Sequence, residues 1–511
     1  MNDRHEPRDV TGAAVRGSAL FLTRGFVLQG VGLLATIGIA RLVSPSEFGA
    51  FAIAAAVLQA GTLITTLGFP AALIRSEAHP TLGQQRAIVG FTLLVGGGLA
   101  ATAALVAFVI LPWAGSSSEV AELVAVAALA LPLFAARMNS LVLLNRDLRF
   151  DGVVIIQATT QLAFYVFALT GALVGAGAFG LAAAVPLSAI ISLVVASIVR
   201  PWEWGITLDL KAVRDLAGFG LKVGVYRLAA ALYEVGSVTL FAAVGGQALA
   251  GFYGLSRRLL SPVYISAQSL HAVGFPALAR ADQRTRTQQT AQGIRTSLVA
   301  VGLAVTIIVG AADPLVAVLF GERWLPSVDI LTLTAIGLLL FAAVGMPLSS
   351  LALANGDARS PLLATAAQAV VTFTLALVLI PRGSDLVAVG VAMAAGLGVF
   401  ALVMFLLTAP PAIRAIRGPT VRTFIVAGIS VAVAKLTQPG DSALGLIAAI
   451  AVSVAVWAAL SALLMRSELR LFLDVLQRYV RPSAGWLQIL RRRSMADPAT
   501  GPAKNPDEQL P

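Results

Sequence analysis

Along this chain, polar residues gather into short clusters, and between them run apolar stretches of about twenty residues. Twenty residues of helix rise about 30 Å, enough to cross the hydrocarbon of a bilayer. Fourteen such spans can be placed: 18–40, 48–70, 87–111, 120–142, 152–174, 178–199, 217–243, 248–270, 293–317, 328–354, 361–380, 386–408, 421–436 and 443–465. The connections are short and carry turn formers, as in Ser44-Pro45-Ser46, Leu111-Pro112-Trp113 and Gln438-Pro439-Gly440. The pattern predicts an all-α polytopic membrane protein, each helix closing its backbone hydrogen bonds within itself.

Lys and Arg orient the spans. With the N-terminus in the cytoplasm, 26 of the 36 basic residues fall in cytoplasmic segments and 4 on the other face (Arg41, Arg323, Arg382 and Lys435), leaving 6 inside spans. A wrong span count would scramble this alternation, so both termini are expected in the cytoplasm. The first 17 residues are polar. The apolar stretch after them, interrupted by Arg24, is too long for a cleavable signal and reads as the first span.

Two segments repeat. Ser140-Leu141-Val142-Leu143-Leu144-Asn145-Arg146-Asp147-Leu148-Arg149, closing the fourth span, and Ser350-Leu351-Ala352-Leu353-Ala354-Asn355-Gly356-Asp357-Ala358-Arg359, closing the tenth, both read S-L-x-L-x-N-x-D-x-R at an offset of 210 residues. Gly49-Ala50-Phe51 and Leu67-Gly68-Phe69-Pro70-Ala71, at the two ends of span two, are echoed at the two ends of span eight by Gly251-Phe252-Tyr253 and Val273-Gly274-Phe275-Pro276-Ala277. Both echoes are six spans apart. An even separation keeps the orientation, so the repeat is parallel and a central cavity is expected between two lobes. The expected organisation is a cytoplasmic segment 1–17, an N-lobe 18–199 (spans one to six), a cytoplasmic inter-lobe loop 200–216, a C-lobe 217–408 (spans seven to twelve), and two further spans within 421–465. After them, residues 466–493 hold Leu469, Phe472, Leu473, Leu476 and Val480 at helical spacing among arginines. That helix either lies on anionic lipid or packs against the bundle. Residues 494–511 read as a disordered tail.

Composition removes several function classes. Of 511 residues 58% are hydrophobic and 12% charged, about half the ~25% charge of a soluble domain. Cysteine is absent and there are three histidines, no two of them close in sequence. Disulfides, thiolate metal sites and cysteine nucleophiles are thereby excluded, and no metal or cofactor is expected. The net charge of +11 sits at span ends rather than in a continuous patch, so nucleic acid is not an expected partner. No G-x-x-x-x-G-K-[ST] phosphate loop, H-E-x-x-H or G-x-S-x-G motif occurs. No non-cytoplasmic loop exceeds roughly a dozen residues, too little for an enzyme acting on lipid-linked glycans outside the membrane.

The candidate site lies among charges inside spans. Arg24, Arg137, Lys222, Arg227, Arg257 and Arg258 are the intramembrane cations, and a cation at mid-bilayer costs ~2.5–3.5 kcal/mol on insertion scales. Arg24, Arg137 and Lys222 stand near cytoplasmic ends, where they line a cavity or snorkel. Arg257 and Arg258 are near the middle of span eight, and as neighbours only one can point straight into a cavity. Glu234 is the clear intramembrane acid, seven residues from Arg227 on one helix face and a coupling candidate. Gln157, Gln161 and Tyr165 form a polar stripe on span five, suited to interhelical bonds or to a sugar-wetted cavity. Several cations against one acid suit an anion, and arginine binds phosphate well.

Residues 40–49, Ala40-Arg41-Leu42-Val43-Ser44-Pro45-Ser46-Glu47-Phe48-Gly49, resemble the A-R-x-L-x-P-x-x-F/Y-G signature of Wzx-type oligosaccharide flippases in the multidrug/oligosaccharidyl-lipid/polysaccharide exporter superfamily. Leu249-Ala250-Gly251-Phe252-Tyr253, Phe275-Pro276-Ala277-Leu278 and Phe320-Gly321-Glu322-Arg323-Trp324 add to the resemblance, which covers roughly residues 15–465. It implies a two-lobed bundle of 14 helices with a cationic cavity. It further implies alternating access for a polyprenyl-pyrophosphate oligosaccharide in a bacterial-type inner membrane, with membrane lipids and a polysaccharide polymerase or export machinery as partners. Three alternatives are weighed against it. A peptidoglycan lipid-precursor flippase shares the cavity, a drug antiporter needs a buried acid in the N-terminal half, and a glycan polymerase needs a large external loop.

Overall fold

The computed structural model describes residues 28–66, 81–109, 118–147, 149–201, 210–280, 282–382, 385–408, 416–438, 440–475 and 477, with the main chain alone for 66, 84, 210–227, 265–280, 283 and 382. Every element among these residues is a helix. The N-terminal half comprises α1 (Leu28–Leu42), α2 (Pro45–Thr66), α3 (Leu82–Val109), α4 (Ser118–Arg146), α5 (Phe150–Leu173) and α6 (Gly177–Val199). One element, Leu210–Arg280, is broken at Gly246, where φ is 85°, into α7 (210–245) and α8 (247–280). Next come α9 (Gln283–Gly310), a short helix Ala312–Phe320 with the 3-10 turn Glu322–Trp324, and α10 (Ser327–Ala354), which holds a π-helical turn at Phe341–Gly345. The remainder is α11 (Arg359–Leu379), α12 (Asp385–Thr408), α13 (Arg417–Thr437) and α14 (Ala443–Leu464).

Among the described residues twelve helices are long and apolar enough to cross a membrane, so length and apolarity alone do not reach the expected fourteen. The difference lies at two places. The described part of α1 is a shorter apolar helix, residues 18–27 lying outside the described residues, and the span Leu228–Tyr264 runs through the Gly246 turn. Large apolar side chains stand bare on the outside, among them Leu34 at 71% and Leu436 at 86% exposure. Hydrocarbon solvates such a surface and water does not.

The start of α2 shows why the 40–49 motif has its residues. Ser44 Oγ accepts the Glu47 amide at 3.3 Å while Glu47 Oε2 accepts the Ser44 amide at 2.8 Å, a reciprocal capping box with Pro45 at the first helical position. Further along, Gly49 of α2 meets α8 at Gly251. A methyl on Gly49 would run into the Gln247 carbonyl, and one on Gly251 into the Pro45 carbonyl. The echoed glycines therefore face one another where the two halves meet, and only glycine lets the backbones come so close.

The S-L-x-L-x-N-x-D-x-R segments end α4 and α10 with different ties. In the first, Asp147 pairs with Arg200 at 3.2 Å, and in the second Asn355 Oδ1 accepts from Arg286 Nη1 at 3.1 Å. After α14, a helix over 466–475 lays Leu469 and Phe472 against Val299, Val426 and Trp457, so this stretch packs on the bundle. Residues 476 and 478–493, the N-terminal segment 1–17, the tail 494–511 and residues 202–209 of the loop 200–216 lie outside the described residues.

Candidate functional site

α7 and α8 run side by side beyond the Gly246 turn, as the Phe241–Tyr253 ring contact at 5.0 Å requires. That hairpin sets Glu234, 12 residues before the turn, against Arg257, 11 after it. The two form an ion pair, with side chains 19% and 46% exposed. Glu234 is thus matched by Arg257, and the side chain of Arg227, seven residues away on the same helix, lies outside the described residues. An exposed guanidinium in a pair remains reachable by a competing anion.

Arg258 points another way. It donates to Tyr165 Oη of α5, its Cζ lying 5.9 Å from the ring centroid, which bridges the C-terminal half to the N-terminal half. Tyr165 also accepts from Gln161 Nε2 at 3.2 Å, and the same amide donates to the Leu28 carbonyl of α1 at 3.3 Å. One turn from Arg258, Ser261 Oγ accepts from Gln29 Nε2 of α1 at 2.7 Å and donates to the Arg258 carbonyl at 2.7 Å. Gly32 leaves room for this cluster, since a methyl there would stand 2.7 Å from Arg258 Nη2. Among the described residues no carboxylate pairs with Arg258. A guanidinium carries five N–H donors, so a neutral hydroxyl leaves donors and a full charge for an anion.

Arg137 on α4 is held inside the N-terminal half. Its Nη1 donates to Ser192 Oγ of α6 at 2.7 Å and to Thr160 Oγ1 of α5 at 3.0 Å, and its Cζ lies 4.5 Å from the Phe134 ring centroid. Arg24 lies outside the described residues, and Lys222 and Arg227 are placed on α7 by their main chain alone. Gln157, one turn before Gln161, is exposed. The structure therefore brings Arg258, Tyr165 and Gln161 together, sets Arg257 and Glu234 as a pair beside them, and keeps Arg137 apart. Gln29, Gly32 and Ser261 join the site although no motif marked them. A groove of about 240 Å³ between α7 and α11, lined by Ala229, Leu232, Tyr233, Leu362, Thr365 and Phe373, is apolar and offers an anion no charge.

A family model described as "Polysaccharide biosynthesis protein" matches residues 39–329, more than half of the chain. The chain belongs to that family. The match takes in both the 40–49 and the 320–324 motifs, so the resemblance carried by those residues is borne out. A second family model, "Lipid II flippase MurJ", matches residues 238–464 of this family member. The Succinoglycan biosynthesis transport protein ExoT of Rhizobium meliloti (strain 1021) is 24% identical over 305 residues, and the match spans 58% of this chain and 60% of that relative. Among solved structures, the Lipid II flippase MurJ in an inward closed conformation aligns with a TM-score of 0.73 at 14% identity, over 88% of this chain and 99% of that one. An inward-facing multidrug resistance MATE family transporter of the MOP superfamily aligns at 0.51 and 18% identity, over 83% and 96%. At these identities the likeness is one of fold, and it gives the chain the all-helical, multi-span membrane fold expected from its spans.

Proposed function

We propose that this protein is a transporter, not an enzyme, that carries polyprenyl-pyrophosphate-linked oligosaccharide repeat units from the cytoplasmic to the outer leaflet. It supplies surface polysaccharide or lipopolysaccharide synthesis and works by alternating access of its two lobes in a bacterial-type inner membrane. The observation that carries the reading is the adjacent pair Arg257 and Arg258 at mid-span. One is paired with Glu234, and the other meets a hydroxyl across the joint between the halves. A diphosphate supplies the anionic oxygens that such guanidinium forks bind in bidentate fashion. Membership of the polysaccharide family and the likeness to ExoT, a succinoglycan biosynthesis transport protein, support the glycan part of the reading. The distribution of basic residues supports cytoplasmic termini. A polymerase and export machinery are the partners such a product requires, and nucleic acid is not one.

The MurJ family model over 238–464 supports a second reading, export of the peptidoglycan lipid precursor. Extraction and mass spectrometry of lipid-linked glycans after depletion of the protein separates the two. Accumulation of a complete repeat unit on polyprenyl pyrophosphate, with loss of surface polysaccharide, is the expected result. Accumulation of the peptidoglycan precursor with lysis would establish the second reading, and no lipid-linked intermediate at all would overturn both.

A further inference from the structure

The segments 40–49 and 320–324 belong to different halves, and each caps the other's helix. At the end of α1 the Ser44 amide, which would otherwise bond back to Ala40, is taken by the Glu47 carboxylate. The freed Ala40 carbonyl accepts from Arg323 Nη2 and from Trp324 Nε1, both at 2.8 Å. At the end of the short helix Ala312–Phe320, Gly321 at φ 97° sends its amide back to the Val316 and Ala317 carbonyls at 3.1 Å. The next two carbonyls are capped from the other half. Val318 accepts from Arg41 Nη2 at 2.5 Å and Leu319 from Arg41 Nε at 2.9 Å. Helix C-termini leave carbonyls unsatisfied and carry partial negative charge, and a guanidinium answers both.

This joint has a dry layer and a wet one. Ala40 and Trp324 are fully buried, and Phe48 and Phe252 meet the indole edge-on at 5.6 and 6.1 Å. Arg41 and Arg323 are exposed. When the halves part, both arginines hydrate at once and no charge is stranded in a dry place, so the wet layer opens reversibly. The Trp324–Ala40 bond, being buried, resists opening.

We propose that Arg41, Arg323 and Trp324 form the outer gate of the transporter, a reciprocal cap that holds the halves together on the face away from the cytoplasm and parts for release. Which face this is rests on the orientation given under the proposed function; the cap itself does not.

The chain has no cysteine, so an introduced pair reports the closed state without background. A Cβ built on Gly254 of α8 lies 3.6 Å from the Ala52 Cβ of α2, within the spacing a disulfide needs. Full-length Ala52→Cys/Gly254→Cys protein in native membranes is oxidised, and the initial rate of cross-linking is read by mass spectrometry of the linked peptides. In Arg41→Met and Arg323→Met backgrounds the rate is expected to fall on the order of tenfold, the effect of losing a charge-assisted bond. Trp324→Phe, which keeps the ring and loses the N–H, is expected to lower it as well. Size-exclusion profiles of the solubilised variants confirm folding. Unchanged rates in both arginine variants would overturn the gate. The face is read separately with Gly254→Cys alone and a membrane-impermeant maleimide. Faster labelling from outside intact cells in the Arg41→Met background is expected, and acceleration only in inverted vesicles would overturn its assignment as the outer gate. Neither readout involves a glycan, so the gate and the choice of substrate stand or fall independently.

Discussion

An arginine placed at mid-bilayer is tolerated only where something answers its charge, and the two neighbours at 257 and 258 are answered differently. Arg257 has a carboxylate and Arg258 a phenol hydroxyl. On the proposed reading, the substrate diphosphate competes with both. Arg258→Ala and Arg257→Ala are each expected to lower export of lipid-linked repeat units on the order of tenfold or more, since a hydrogen bond to a charged group contributes ~1.5–3 kcal/mol. Arg258→Lys, which keeps the charge but not the planar fork, is expected to fall in between. Surface polysaccharide per unit of membrane-inserted protein is the measurement, and normal export by both alanine variants would remove these residues from the site. The cations themselves were legible in the sequence because a charge inside an apolar span is conspicuous. Their partners were not. Tyr165 and Arg258 are 93 residues apart, and no local rule pairs them. The Glu234–Arg257 pair did leave a trace, because the two residues are nearly equidistant from Gly246. Reading it required knowing that the chain folds back on itself there.

Helix ends are where this membrane protein spends its loop residues, and two of them carry testable chemistry. Ser44 and Glu47 cap α2 reciprocally. Loss of an N-cap hydroxyl costs ~0.5–2 kcal/mol, so Ser44→Ala is expected to lower the melting temperature of the solubilised protein and Ser44→Asp to restore it. A melting temperature unchanged in Ser44→Ala would mean that the cap contributes nothing. At the turn into α11, Asp357 accepts from the Ser360 hydroxyl and from the Arg359 and Ser360 amides at 2.9 and 3.1 Å. The Ser360 hydroxyl, ahead of the amides, holds the Asp357 carboxyl below its usual range. A lowered folded-state pKa gives stability that is fully present above the usual aspartate value of about 4 and lost as pH falls through the lowered one. The stability difference between wild type and Asp357→Asn is therefore expected to be constant at neutral pH and to shrink in acid. A difference that does not change with pH would rule out the carboxylate as the cap. The turn at 44–46 was legible from its serines and proline, but the use of the same motif in capping another helix, through Arg41, depends on residues 277 and 278 positions away.

At the scale of the whole molecule, alternating access requires the two halves to separate at one face in every cycle. The repeat of glycines at 49 and 251 anticipated a pseudo-twofold joint, and the packing of α2 against α8 puts both glycines in it. Spans seven and eight were placed on either side of Gly246, where the chain does turn, whereas helix length and apolarity alone run the two crossings together as Leu228–Tyr264. The consequence for transport is direct. A Cβ added at Gly254 would stand in ordinary van der Waals contact with Phe48 and Ala52, so the closed joint admits the Cβ of Gly254→Cys, and Ala52→Cys faces it. Oxidation of the double variant clamps α2 to α8. Export is expected to stop on oxidation and to return with a reductant, while Gly254→Cys alone exports throughout the same treatment. The clamp leaves Arg257, Arg258 and their partners unchanged, so lost export would come from blocked lobe separation rather than from a damaged site. Undiminished export by fully cross-linked protein would mean that substrate crosses without the halves parting at this joint, and the alternating-access mechanism would fail with it.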